Sequence, residues 1–162
     1  MKVGIIADTH DHMVKIQKAV RIFKRANVEA IVHCGDFVAP FALRPFEQAK
    51  IQFIGVFGNN DGEKEGLRNF VKTFGTIHHP PYTFTLADRK FLLCHSPLSN
   101  QDLRESCYKH DYVCFGHTHQ ITYEKTKKAL LINPGEACGW LYGTASIGIL
   151  DTETNKFSTM EI

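Results

Sequence analysis

No two cysteines in this sequence are spaced as C-x-x-C. The five present, Cys34, Cys94, Cys107, Cys114 and Cys138, are odd in number and far apart, which argues against both a thiolate zinc site and the disulfide framework of a small secreted domain. Cys34, Cys94 and Cys114 lie in or beside apolar runs, where small buried residues are expected. A surplus of charge is missing as well: 19 basic residues stand against 17 acidic ones, for a net charge of +2, and both signs are scattered along the chain. Without a dense basic patch there is no electrostatic footprint for a nucleic acid partner. Long hydrophobic runs are also absent. The N-terminal run stops at Asp8 after a few residues, too short for a signal peptide or a membrane span, so a reducing cytoplasm is the expected location. There is no internal repeat, low-complexity segment or linker. Residues 1–162 are therefore expected to form one domain, long enough to bury about two-thirds of the surface of its unfolded chain.

What the sequence does contain is a series of short strand-like runs: Val3–Ala7, Ala30–Cys34, Gln52–Phe57, Lys90–Cys94 and Tyr112–Phe115. They are rich in Val, Ile and Phe, as strands covered on both faces are. After the first run, Met13, Ile16, Val20 and Phe23 recur at helical spacing, opposed by Lys15, Lys18, Arg21, Lys24 and Arg25; this predicts an amphipathic helix with a solvated basic face. Weaker helical patterns cover Phe41 to Ala49 and Glu63 to Phe74. From Tyr82 onward strand-like pieces dominate, with hairpin turns expected at "LADRK", "YEKTKKALL" and "LDTETNKF". The expectation is an α/β chain with parallel strands and helices first and an antiparallel set later.

The five runs end alike, in "IIADTH", "IVHCGD", "GVFGNND", "FLLCHS" and "VCFGHTH". In open α/β sheets the carboxyl ends of parallel strands share one crevice where ligands bind, so these endings are expected to converge. Imidazole, carboxylate and amide oxygen without thiolate make a nitrogen and oxygen donor set, suited to Mn, Fe, Co, Ni or Zn. Asp8, His10, Asp36, Asn59, His95, His117 and His119 are seven candidates. One catalytic ion with an open position rarely uses seven ligands. Two ions ~3.5–4 Å apart that share a carboxylate do, and such a pair is a standard clamp for displacement at phosphorus.

The ordered series D-x-H (Asp8-Thr9-His10), G-D (Gly35-Asp36), G-N-x-D (Gly58-Asn59-Asn60-Asp61), a lone His95 and G-H-x-H (Gly116-His117-Thr118-His119) resembles the calcineurin-like metallophosphoesterases. It is most similar to their small prokaryotic phosphodiesterase branch, which "INPGE" near Asn133 also resembles. The resemblance spans essentially the whole chain. It implies a four-layer αββα sandwich of two mixed β-sheets flanked by helices, with a dinuclear metal site at the strand C-terminal ends. It further implies Asp8, His10 and His119 on one ion, Asn59, His95 and His117 on the other, and Asp36 bridging. The two divalent ions would be Mn2+ first, with Ni2+, Fe2+, Co2+ or Zn2+ as alternatives, and a metal-bridging hydroxide would attack a small phosphodiester in line with its leaving alkoxide. Some relatives have lost ligands and act as protein-interaction scaffolds, as the retromer subunit of this type does; a phosphomonoesterase would share the metals. All seven ligand positions match here, which favours catalysis on a small phosphodiester. A homo-oligomer is compatible with all of this.

Asn60 and Asp61 complete the candidate catalytic group, and Asn60 is a departure. Many relatives carry histidine at that position, where it is proposed to protonate the leaving group or stabilise charge. An amide donates a hydrogen bond but is no general acid, a function worth about 10²–10⁴-fold, so slow turnover or a preference for good leaving groups is expected. "HSP" at His95–Pro97 is the other departure, since glycine is usual after that histidine. Several residues have plainer readings. Asp11 is expected to cap the first helix. His12 is either a first-turn surface residue or a substrate contact or proton donor. Asp61 either caps the helix near Glu63 or holds Asn60 or a ligand in place. His33 reads as a packed core histidine and His78, His79 and His110 as surface residues; Arg44, Arg68 and Arg104 could each neutralise substrate phosphate, although most surface arginines do no such thing. Trp140 and Tyr142 are expected to serve core or interface packing before base stacking.

Overall fold

The computed structural model describes residues 1–162. Eleven strands form two sheets. The first half supplies β1 (Lys2–Ile6), α1 (Met13–Arg25), β2 (Ala30–His33), a 3-10 turn (Pro40–Leu43), α2 (Arg44–Ala49), β3 (Gln52–Val56), α3 (Lys64–Val71) and β4 (Gly75–His78). The second half supplies β5 (Tyr82–Leu86), β6 (Arg89–Leu93), α4 (Asn100–Lys109), β7 (Tyr112–Cys114), β8 (Ile121–Lys125), β9 (Leu130–Pro134), β10 (Ser146–Asp151) and β11 (Lys156–Glu161). Sheet one runs β11-β10-β1-β2-β3-β4 and sheet two β5-β6-β7-β9-β8. Both are mixed. Strands β1 to β4 are mutually parallel, while β10 pairs antiparallel with β1 and with β11. In the second sheet β6, β7 and β9 are parallel and the outer strands β5 and β8 antiparallel.

Alternation along β1 explains the layering. Val3, Ile5 and Ala7 point between the sheets, where they meet Phe91, Leu93, Tyr112, Cys114 and Ile132, whereas Ile6 points to the helices. Strand side chains alternate faces, so a strand apolar on both faces must be covered on both. The outer face of the first sheet is covered by α1 through Ile16, Ala19, Val20 and Phe23, and by Phe37, Phe46 and Leu67. The face of the second sheet away from the first carries a smaller cluster, Leu92, Cys94 and Val113, under Leu103 and Cys107 of α4. Four layers result, helices, sheet, sheet and helix. All five cysteines are free thiols, and Cys34, Cys94, Cys114 and Cys138 are buried. No helix is long and apolar enough to cross a membrane.

The five expected strands and the three expected hairpins form, with boundaries shifted by a residue. The helix expected over Phe41 to Ala49 is instead a 3-10 turn running into α2, because Pro45 lacks the amide that a continuous helix would need. Two elements lie outside the sequence expectations. β4 is a sheet edge with only Ile77 buried, so its alternation is faint. α4 has no buried residue and thus almost no apolar period; its signal is the cap, since Ser99 Oγ accepts from Asp102 N (3.2 Å) and donates to Asp102 Oδ2 (2.6 Å).

Candidate metal centre

The turns after β1, β2, β3, β6 and β7 meet at one edge of the sandwich. Of the seven candidate ligands, Asp8, His10, Asp36, His117 and His119 have positive φ, between 39° and 65°. Non-glycine residues there cost roughly 1–3 kcal/mol each and persist only where the surroundings over-determine them. Here the surroundings do so with hydrogen bonds. Gly35 N donates to Nδ1 of the buried His33 (3.1 Å), His33 Nε2 donates to Thr9 Oγ1 (3.1 Å), and Thr9 Oγ1 donates to the Asp36 carbonyl (3.2 Å). That relay joins the first two ligand turns and gives His33 a structural task within the core. Asp61 joins the second turn to the third: its carboxylate accepts from the amides of Asp36 (3.0 Å), Phe37 (2.7 Å), Val38 (2.8 Å) and Gly58 (2.7 Å). Gly58 is required for space, because a Cβ there would lie 2.1 Å from Asp36 Oδ1.

The donor atoms face one another. Asp36 Oδ2 lies 3.5 Å from His10 Nε2 and 3.4 Å from His95 Nε2; Asp8 Oδ1 lies 3.7 Å from His119 Nε2. Asn59 Oδ1 sits 2.8 Å from His95 Nε2 and 2.9 Å from His117 Nδ1. Asn60 donates to Asp36 from its backbone N and from Nδ2, both at 2.8 Å, so its side chain lies over the expected bridging carboxylate. All seven predicted ligands thus gather in one cluster. Asp8, Asp36 and His95 are buried at its floor, and Asn59 and His117 are exposed at its mouth.

Several features fit this cluster to cations. His95 Nδ1 donates to the Cys34 carbonyl (2.8 Å) and His119 Nδ1 to Glu136 Oε2 (2.9 Å); both acceptors lack protons, so each Nε2 keeps its lone pair toward the cluster. Burial lowers the pKa of His10 and of His95, favouring the neutral imidazole that a metal requires. His10 Nε2 is buried without any hydrogen-bond partner. Burial pushes the Asp8 carboxyl up to about 7; His119 opposes that shift, and Asp36 and Glu136 add to it. Lone pairs and carboxylates pressed together in this way want positive charge among them.

Glu136 was not among the predicted residues. It is fully buried and accepts from His119 Nδ1, from Cys138 Sγ (3.2 Å) and from the amides of Leu141 (3.0 Å) and Tyr142 (2.6 Å). Burial pushes its carboxyl up, but the His119, Leu141, Tyr142 and Cys138 bonds together hold it at about 2. Its sequence signal was "INPGE", whose glutamate follows a strand as the ligands do.

Two expectations are corrected, for Asp11 and for Trp140 with Tyr142, and of the two readings of Asp61 the structure matches the one that holds a candidate ligand in place. Asp11 does not cap α1: His12 occupies that position without a side-chain bond, and Asp11 Oδ1 instead accepts from Ala39 N (3.0 Å), tying the first turn to the second. Asp61 does not cap α3 either, since Glu63 precedes that helix and Asp61 is committed to the four amides. Trp140 and Tyr142 are not core residues, being 62% and 56% exposed. Arg44, Arg68 and Arg104 are exposed. A cavity of about 390 Å³ opens from Asn59 and His95 toward Lys64, His79 and Pro97; a second, of about 440 Å³ between α4 and β8, lacks all seven ligands.

The five strand endings, in their order and on this fold, define a family. The chain belongs to the calcineurin-like phosphoesterase superfamily, whose domain matches residues 1–155. Phosphodiesterase MJ0936 of Methanocaldococcus jannaschii is 41% identical over 162 residues, covering 97% of this chain and 96% of that protein. A solved structure of an archaeal phosphodiesterase superposes with a TM-score of 0.91 at 40% identity, covering both chains completely. Chaetomium thermophilum Vps29 shares the fold alone, with a TM-score of 0.72 at 13% identity over 100% of this chain and 95% of that one.

Proposed function

We propose that this chain is a metal-dependent phosphodiesterase acting on small phosphodiesters. The observation that carries the reading is the complete donor cluster, with the unpartnered His10 Nε2 and with His95 and His119 oriented from behind by Cys34 and Glu136. Asp8, His10 and His119 would hold one divalent ion, Asn59, His95 and His117 a second, with Asp36 between them. Such ions supply Lewis acidity, which makes a hydroxide nucleophile available near neutral pH and neutralises charge on the phosphoryl oxygens. The residues of the chain do the positioning. Asp61 and the His33 relay fix Asp36, Glu136 fixes His119, and Asn60 offers an amide donor at the cluster's mouth. The phosphodiesterase relative at 41% identity supports a diester substrate. A scaffold role on the fold of Vps29 has only the fold in its favour.

The decisive experiment is a panel of mono-, di- and cyclic phosphoesters, run after chelation and again with each divalent ion restored. Diester turnover should vanish on chelation and return, with Mn2+ as the first candidate, at two ions per chain by elemental analysis and calorimetric titration. Full activity at a clear saturation of one ion per chain would sink the dinuclear reading. Faster monoester than diester turnover would move the assignment to a phosphomonoesterase.

Asn60 gives a second test. Without a general acid at this position, rate should depend steeply on leaving-group acidity, so that an activated aryl diester is cleaved readily and an alkyl diester of similar size lags. Asn60→His should narrow that ratio by about tenfold or more, within the range that general acid catalysis spans. The ratio cancels changes in metal occupancy. If it stays the same while the metal content is intact, Asn60 does not limit the substrate range.

A further inference from the structure

The loop that follows Glu136 runs beside the first ligand turn. Ala137 N and Cys138 N donate to the carbonyls of Ala7 (2.9 Å) and Asp8 (3.0 Å), and Cys138 Sγ lies within 4.8 Å of ring nitrogens of His10 and His119. Further along both segments, the His12 ring stacks on Trp140, with centroids 4.7 Å apart and planes at 22°. The contact between the two segments therefore continues from buried Asp8 to the rim of the candidate metal centre, two residues on from Cys138 and four on from Asp8. At the rim the loop presents Trp140, Leu141 and Tyr142, 62%, 67% and 56% exposed. The backbone beneath them is fixed. Glu136 fixes the amides of Leu141 and Tyr142, and Gln120 Nε2 donates to the Tyr142 hydroxyl (2.8 Å). With His12 against one face of the indole, the exposure of Trp140 belongs to its other face and edge.

We propose that Trp140 is the stacking platform for a planar aromatic arm of the phosphodiester, an aryl or nucleobase-bearing ester group. This rests on the phosphodiesterase reading and narrows its substrate class. A diester differs from a monoester by a second organic arm, which has to lie outside the ligand cluster, and the rim is the first surface it meets. A fixed indole with one open face takes any flat ring and asks for no hydrogen-bond pattern. Trp140 lies against His12, two residues beyond the candidate ligand His10, and this place at the rim favours the substrate's own second arm as its occupant.

Trp140 is the only tryptophan, so its emission reports this site alone. In the metal-loaded protein, AMP should quench that emission saturably, whereas ribose 5-phosphate at equal concentration should not. In kinetics, the kcat/KM ratio of bis(4-nitrophenyl) phosphate to methyl 4-nitrophenyl phosphate, two diesters with one leaving group, should fall about tenfold in Trp140→Ala, mainly through KM, as stacking on one aromatic ring predicts. Trp140→Phe should restore most of the ratio, with metal content unaltered in both variants. Absence of the AMP effect, an unchanged ratio, or Trp140→Ala dissolving an oligomer in sedimentation would each overturn the proposal. If the wild-type protein turns over neither diester with any metal, the phosphodiesterase reading fails; the AMP titration then decides the platform by itself.

Discussion

Asp36→Asn should reduce diester turnover by about 10²–10³-fold at saturating metal, the scale of losing one preorganised electrostatic group in an active site. The substitution is chosen for its restraint. Asp36 has φ of 60°, a conformation that asparagine tolerates better than most residues, and its backbone stays tied by Thr9 and Asp61. One side-chain oxygen also remains to accept from Asn60. What disappears is a negative charge that faces His10 Nε2 at 3.5 Å and His95 Nε2 at 3.4 Å, one from each proposed ligand trio. Asp36 is the carboxylate that comes within 4 Å of a histidine nitrogen of each trio, so no other single ligand substitution should cost as much. Steady-state rates with excess metal, paired with elemental analysis, make the comparison. Near-normal turnover in Asp36→Asn would mean that Asp36 is not the bridge.

The convergence of the seven candidate residues was legible in the sequence because strand ends are: a short apolar run that stops at Asp, Asn or His marks both the element and its exit, and five such exits in one parallel-strand context specify a meeting point. The residues that hold these candidates in place were less legible. Glu136 acts on His119 across 17 positions of chain and reaches Tyr142 through an amide; its one local signal, its place after a strand in "INPGE", does not say which side chain it holds. Asp11 shows the opposite error. A carboxylate just before a helix reads as a cap, but its positive φ of 55° and its position opposite Ala39 turn it toward another loop. Periodicity also failed where burial is thin, at α4 and β4, since a hydrophobic pattern exists only where a face is hidden from water.

Asp61 sits between these cases, and its removal should be the most damaging change to stability at this edge of the protein. Its two oxygens divide the work: Oδ1 accepts from Phe37 and Val38 N, Oδ2 from Asp36 and Gly58 N, and the residue is 2% exposed. Asp61→Ala leaves four amides without that acceptor. An unsatisfied buried group costs about 1–3 kcal/mol, so even with partial rescue by water the loss should reach about 4 kcal/mol, or roughly 8–16 °C in melting temperature for a chain of this size. Asp61→Asn should rescue only part of it, because an amide NH2 would face either the Asp36 and Gly58 donors or the Phe37 and Val38 donors. Activity should fall with stability, since the same bonds place Asp36 and the turn that carries Asn59. A positioning role moves metal affinity and melting temperature together while leaving the shape of the pH–rate profile intact; a proton-transfer role would remove one limb of that profile. A melting temperature within about 2 °C of wild type, less than 1 kcal/mol at this size, with metal binding unchanged, would show that water satisfies the four amides and that Asp61 does not fasten the second ligand turn to the third.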